Sequence, residues 1–183
     1  MIIQDQDIKL DIGHVENGNM KVSHLKHIIK EQTEETVKQC PAATQDLELN
    51  TLNRNRAIQA DHIKYGPLNV DEPGDYWKDI AEYWNTTEEA AKKSLCGNCV
   101  AFDISKRMDE CMPGETTDED GRLGYCWMHH FKCHSARTCY TWAAGGPIKD
   151  DEKSYDWQKR NLKSALDKEP IEAIEENVFT KKW

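Results

Sequence analysis

Six of the chain's seven cysteines fall between Cys96 and Cys139, opening with Cys96-Gly97-Asn98-Cys99, and only Cys40 lies elsewhere. Inert buried thiols scatter along a chain as small hydrophobes, and they do not crowd in this way. Here they alternate with Phe102, Tyr125, Trp127, Phe131, Tyr140 and Trp142. Thiolates set among aromatics describe a dry, sulfur-lined pocket for a metal centre. The spacing is C-x2-C-x11-C-x14-C-x6-C-x5-C, through Cys96, Cys99, Cys111, Cys126, Cys133 and Cys139. A C-x-x-C seeds zinc and iron–sulfur sites alike. Zinc sites usually close with a second tight pair, and the chain has no second C-x-x-C. Wide spacing with aromatic lining suits a cubane, whose corners stand apart and whose potential depends on water exclusion.

Other side chains offer rival chemistry. His129, His130 and His134 bring mixed Cys/His zinc coordination into play, but adjacent histidines point different ways, so a hydrogen-bonding role is expected. A cysteine nucleophile needs one thiol singled out beside a base and an oxyanion hole, and nothing marks either. No catalytic residues are assigned, and no constellation demands a substrate. Arg137, between the last two cysteines, is read as a solvated charge or as a counter-charge to a thiolate-bound cluster. The acidic run at Glu115, Asp118, Glu119 and Asp120 lacks the spacing of a calcium loop and is expected to be a loop tip.

The elements that must position the cysteines are sparse. Of the 183 residues, 38% are hydrophobic and 31% charged, and mean hydropathy is −0.84. So thin an apolar supply calls for a metal or covalent staple. Val22, Leu25, Ile29 and Val37 give a helix over 22–37, and a short helix is expected over 54–63. Tyr76, Trp77, Ile80, Tyr83 and Trp84 form an aromatic helical stripe, expected to pack in the core and to wall the metal site. Thr86-Thr87-Glu88-Glu89 is a capping box, predicting a helix over 87–95 that feeds into Cys96. Gly145-Gly146-Pro147 breaks the chain, and a helix over 155–166 is predicted with Ser154 as its cap. The resulting expectation is a small α plus irregular fold with few short helices and little sheet. Residues 1–64 form an N-terminal arm, 65–147 a cysteine-rich metal-stapled module and 148–183 a charged C-terminal arm.

A net charge of −9 argues against nucleic acid as a partner. No segment reaches the roughly 18 apolar residues of a membrane span, and the first residues are unlike a signal peptide. A reducing cytoplasm is therefore expected, where clustered cysteines hold metal rather than form disulfides, and an odd count of seven fits a disulfide framework poorly.

Cys96-Gly97-Asn98-Cys99 followed by Phe102, and Cys126-Trp127 leading to Cys139 and Trp142, resemble the ligand pattern of high-potential iron–sulfur proteins. The likeness covers about residues 94–143. The segment 65–147 also looks like a protein family of tailed phages of marine bacteria. The resemblance implies one [4Fe-4S] cluster and single-electron transfer without catalysis, in a host-cell cytoplasm or a virion. It implies a pocket of Phe102, Tyr125, Trp127, Phe131 and Trp142. Cys96, Cys99, Cys126 and Cys139 best follow the family's aromatic positions; Cys96, Cys99, Cys111 and Cys126 follow its raw spacing nearly as well. Under the first set Cys111 and Cys133 are left as free thiols, a mutual disulfide or an outer pair. The gap from Cys99 to Cys126 is longer than the family's, and two cysteines are surplus. Two roles stay open: a high-potential-like electron carrier, with a redox partner, or a structural protein whose cluster (or zinc) locks the fold while the arms bind virion subunits.

Overall fold

The computed structural model describes residues 39–166 together with His27, Ile28, Lys30 and Glu31. Those four are helical, within the helix expected over 22–37. The rest of that helix, the arm over 1–20 and the end of the chain beyond 166 lie outside the described residues.

From residue 39 onward the described residues form six helices and a four-stranded sheet of short strands, a mixed α/β arrangement compatible with the expected few short helices and little sheet. In order they are α1 (Ala42–Gln45), α2 (Leu47–Gln59), α3 (Tyr76–Tyr83), α4 (Glu88–Lys93), a 3-10 turn (Cys96–Asn98), β1 (Phe102–Asp103), α5 (Lys106–Cys111), β2 (Thr117–Asp118), β3 (Gly121–Cys126), β4 (Phe131–His134) and α6 (Asp151–Leu166). Strand β3 is the hub, pairing antiparallel with β1, β2 and β4. Among the described residues no helix is long and apolar enough to cross a membrane.

Two helices start earlier than expected, and the caps explain both. Asp46 accepts a hydrogen bond from the Leu49 amide at 2.9 Å, so α2 begins at Leu47 rather than near 54. Asp150 accepts from the amides of Glu152 and Lys153, so α6 begins at Asp151 and Ser154 lies inside it. A helix forms where the capping box predicts one, but the cap is shifted by a residue: Thr87 rather than Thr86 accepts, from the Ala90 amide at 3.3 Å, and α4 runs over Glu88–Lys93. The acidic run is partly structured, with Thr117 and Asp118 paired to Arg122 and Gly121 in a hairpin.

One core joins all three expected segments. Ala43, Ala57 and Ile63 from before residue 65 and Ile148 from after 147 share a buried cluster with the cysteines and with Phe102, Tyr125, Trp127 and Phe131. Polar contacts carry much of the docking. Asn53 donates to the His130 carbonyl at 2.8 Å and Asn50 accepts from the Lys132 amide at 2.7 Å, fastening α2 to the β3–β4 hairpin. Arg107 on α5 is buried and donates to Ser154 and Gln158 of α6 at 2.8 and 2.6 Å and to the Gln39 carbonyl at 3.2 Å. Its guanidinium also lies 4.1 Å from the Tyr155 ring centroid. A smaller cluster of Ile80, Ala81 and Ala91 packs α3 on α4, with Tyr76, Trp77, Trp84 and Tyr140 around it.

Cys40 and Cys111 form a disulfide across 71 residues. This corrects two expectations, that the cysteines avoid disulfides and that Cys111 is a free thiol or an alternate ligand. Its sulfur is already bonded, so Cys111 leaves the candidate ligand set.

Candidate metal centre

The five remaining cysteines, Cys96, Cys99, Cys126, Cys133 and Cys139, are free thiols and all buried. Three local devices bring them together. The first is the turn after α4. Asn98 accepts from the Leu95 amide at 3.1 Å and donates to the Lys93 carbonyl at 2.7 Å, closing the C-x-x-C loop. The indole N–H of Trp142 donates to the Leu95 carbonyl and to Asn98 Oδ1, at 2.9 and 3.0 Å. The Cys96 and Gly97 amides donate to the carbonyls of Arg137 and Ser135, which sews this turn to the segment beyond β4. Gly146 closes the other side: a Cβ there would stand 1.7 Å from the Cys99 carbonyl oxygen, so only glycine fits.

The second device is the β3–β4 hairpin. Cys126 pairs with Phe131 and with Phe102, and Gly124 pairs with Cys133. Side chains alternate across a strand, so Phe102, Cys126, Phe131 and Cys133 share one face. Tyr125 falls on the other face, where it packs edge-on against Trp127 with centroids 4.9 Å apart. Trp127 donates to Asp103, the cross-strand partner of Tyr125, at 2.7 Å. Of the five expected pocket aromatics, then, strand alternation sets Phe102 and Phe131 beside the thiols. Trp142 braces the C-x-x-C turn, and Tyr125 with Trp127 backs the sheet.

The third device is the segment 138–142. Thr138 exchanges backbone hydrogen bonds with Gly66, and the Tyr140 amide donates to Ile63, which presents Cys139 inward between them. Tyr140 stacks on Tyr83 with centroids 4.1 Å apart, and Trp84 lies 5.7 Å from Trp142. The aromatic stripe of α3 therefore lies against the segment that carries Cys139.

The electrostatics are those of crowded sulfur. Burial pushes the Cys99 thiol up, and the charges of Cys126 and Cys96 add to the effect. Burial likewise pushes Cys139 well up, again with Cys126 and Cys96 contributing. Cys133 is raised strongly by burial and by its contacts with Cys126 and Cys96, while Cys126 is lowered by its hydrogen bond with Cys133. The contact thus favours the thiol form at Cys133 and the thiolate form at Cys126. Peptide N–H groups favour the thiolate at three sulfurs: those of Ala143 and Ala101 at Cys99, of His129 and Met128 at Cys126, and of Thr141 at Cys139.

Among the described residues no group of three or more Cys, His, Asp or Glu side chains is placed to hold a metal ion. The sulfurs feel one another's charge without gathering round one point. The donor set nonetheless fits thiolate chemistry, with five buried thiols in one core and peptide dipoles aimed at three of them.

The remaining residues find other partners. His134 pairs with Asp118 at 3.1 Å. His129 Nε2 lies 2.7 Å from Thr141 Oγ1, and burial pushes its pKa down to about 4. Arg137 donates to the Pro67 carbonyl. Sequence reasoning passed over Thr141, whose hydroxyl lies 3.2 Å from Cys139 Sγ. Its signal was the position two residues beyond a cysteine, where an amide and a hydroxyl can both turn back to sulfur. Comparison with protein-family models, curated proteins and solved structures returned no match.

Proposed function

We propose that this protein binds one [4Fe-4S] cluster through Cys96, Cys99, Cys126 and Cys139 and serves as a one-electron carrier. The observation that carries the reading is the burial of Cys96, Cys99, Cys126 and Cys139 as free thiols in one core with Phe102 and Phe131, where peptide N–H groups favour the thiolate at three of the four sulfurs. Hydrogen bonds to the ligand sulfurs and exclusion of water are what the protein contributes to such a site. When bound, the cluster supplies a one-electron couple. The chain's own residues hold the thiolates, steady them with peptide dipoles, and keep water out with Phe102 and Phe131, both nearly fully buried. Under this ligand set Cys133, in contact with Cys126 and Cys96, is left as an outer thiol.

A structural role is the second reading, and one observation favours it. Five of the eighteen buried residues in the main core are the free cysteines, so the sulfur centre is itself a large part of that core. Under the first role the partner is a redox protein; under the second, neighbouring virion subunits, as the likeness to a phage family implies. Visible absorbance with redox titration separates them. A cluster that cycles reversibly in the folded protein supports electron transfer; one that is lost only together with the fold supports the structural role; bound zinc ends the iron reading.

A further inference from the structure

Beyond the ligands themselves, one buried trio faces the proposed centre. His129 Nε2 is 2.7 Å from Thr141 Oγ1, Thr141 Oγ1 is 3.2 Å from Cys139 Sγ, and His129 Nε2 is 3.9 Å from the same sulfur. His129 and Cys139 are 6% and 7% exposed, so water does not compete for these contacts. We infer that His129 and Thr141 form a hydrogen-bond chain aimed at Cys139 Sγ, drawing charge from that sulfur and so raising the reduction potential of the proposed centre. The inference rests on the iron–sulfur reading both for the potential and for the direction of the chain, because it is as a ligand thiolate that Cys139 has no hydrogen of its own to give.

That direction follows from counting hydrogens. A threonine hydroxyl has one hydrogen, and a neutral imidazole carries one on either ring nitrogen. If Thr141 gave its hydrogen to His129, the lone pairs of Oγ1 and of the Cys139 thiolate would oppose each other at 3.2 Å. If Nε2 carries the hydrogen, it donates to Oγ1, and the hydroxyl is free to donate to sulfur. With Cys139 as a ligand thiolate, which carries no hydrogen, only this arrangement gives every contact one donor and one acceptor. The Thr141 amide adds a second donor at the same sulfur. Donors at a ligand sulfur stabilise the more negative, reduced state, so removing one lowers the potential. His129 and Thr141 are positioning residues, acting through Cys139.

The test uses the full chain with its iron and sulfide content measured first. Thr141→Val removes the hydroxyl at nearly constant volume, Thr141→Ser keeps it, and His129→Phe removes the outer donor. The expected result is a lower midpoint potential in Thr141→Val, a return towards the parent value in Thr141→Ser and a smaller decrease in His129→Phe. Nitrogen-15 NMR of the imidazole is expected to show the Nε2–H tautomer. Equal potentials in the parent, the valine and the serine variants would overturn the inference, as would the Nδ1–H tautomer. Should Thr141→Val fail to fold, His129→Phe and the tautomer decide the matter. A chain without iron would sink the proposed function, whereas an iron-loaded chain whose variants keep the parent potential would sink this inference alone.

Discussion

Cys133 faces Gly124 across the β3–β4 ladder, so the strand position opposite this thiol carries no side chain. The space is taken by the Phe102 ring: a Cβ on Gly124 would stand 2.5 Å from its Cε2 and 2.8 Å from the Asp103 carbonyl oxygen. The ring can shift, but the backbone of β1 cannot shift without breaking its pairing with β3. Gly124→Ala is expected to cost about 1–3 kcal/mol, the usual range for overpacking a core. Urea denaturation measures this directly; an unchanged midpoint would mean the ring and β1 are not held as described.

Arg107 is the fastening between α5, α6 and the chain at Gln39. Removing its side chain leaves Ser154 and Gln158 buried without their donor. Arg107→Ala is expected to destabilise the fold by about 2–4 kcal/mol, from lost charged hydrogen bonds and buried acceptors. Arg107→Lys should recover little, because an ammonium lacks the planar fork that spans several acceptors. Recovery of full stability by lysine would refute the geometric role of the guanidinium.

His130 supplies a pH prediction. Burial pushes its pKa down from 6.5 to about 4, so the folded state holds it neutral. Between those values the unfolded chain binds more protons than the folded one, and stability therefore falls as pH falls. The contribution is complete above about pH 6.5 and lost progressively towards pH 4. At about 1.4 kcal/mol per pKa unit it amounts to about 3 kcal/mol. His130 has a positive φ of 53°, which asparagine tolerates well. In His130→Asn, chemical denaturation between pH 4 and 7 should show a shallower loss than in the parent, and parallel curves would count against the prediction.

The cysteines make unequal predictions. Cys139→Ser should lose most of the iron, because it removes a ligand whose sulfur is met by the Thr141 amide and hydroxyl. Cys133→Ser should keep it, since serine can still donate to Cys126. Cys111→Ser should also keep it, because Cys111 is paired with Cys40. Iron content per chain reads all three; a Cys133→Ser protein without iron would exchange the roles of Cys133 and Cys139.

The parts of the fold legible in the sequence were those written in apolar or capping residues. The helix that carries the aromatic stripe lies where periodicity puts it, although Tyr83 is exposed, and α4 begins one residue later than the Thr86–Glu89 spacing puts it. Helix α2 was read too short because its buried face is Asn50, Asn53 and Ala57, and asparagines that dock by hydrogen bonding leave no hydrophobic period. The Cys40–Cys111 pairing was hidden for a different reason. Disulfide connectivity depends on how close two distant segments come in the fold, and spacing does not encode it. Thr141 was missed because a hydroxyl that serves a sulfur resembles any surface threonine until the chain is folded around it.

Iron and acid-labile sulfide, measured on the purified full chain and referred to protein concentration, test the central claim most directly. A bound cubane predicts about four of each per chain, with broad visible absorbance from the thiolate-bound iron. A colourless protein containing one zinc, or no metal at all, would contradict it.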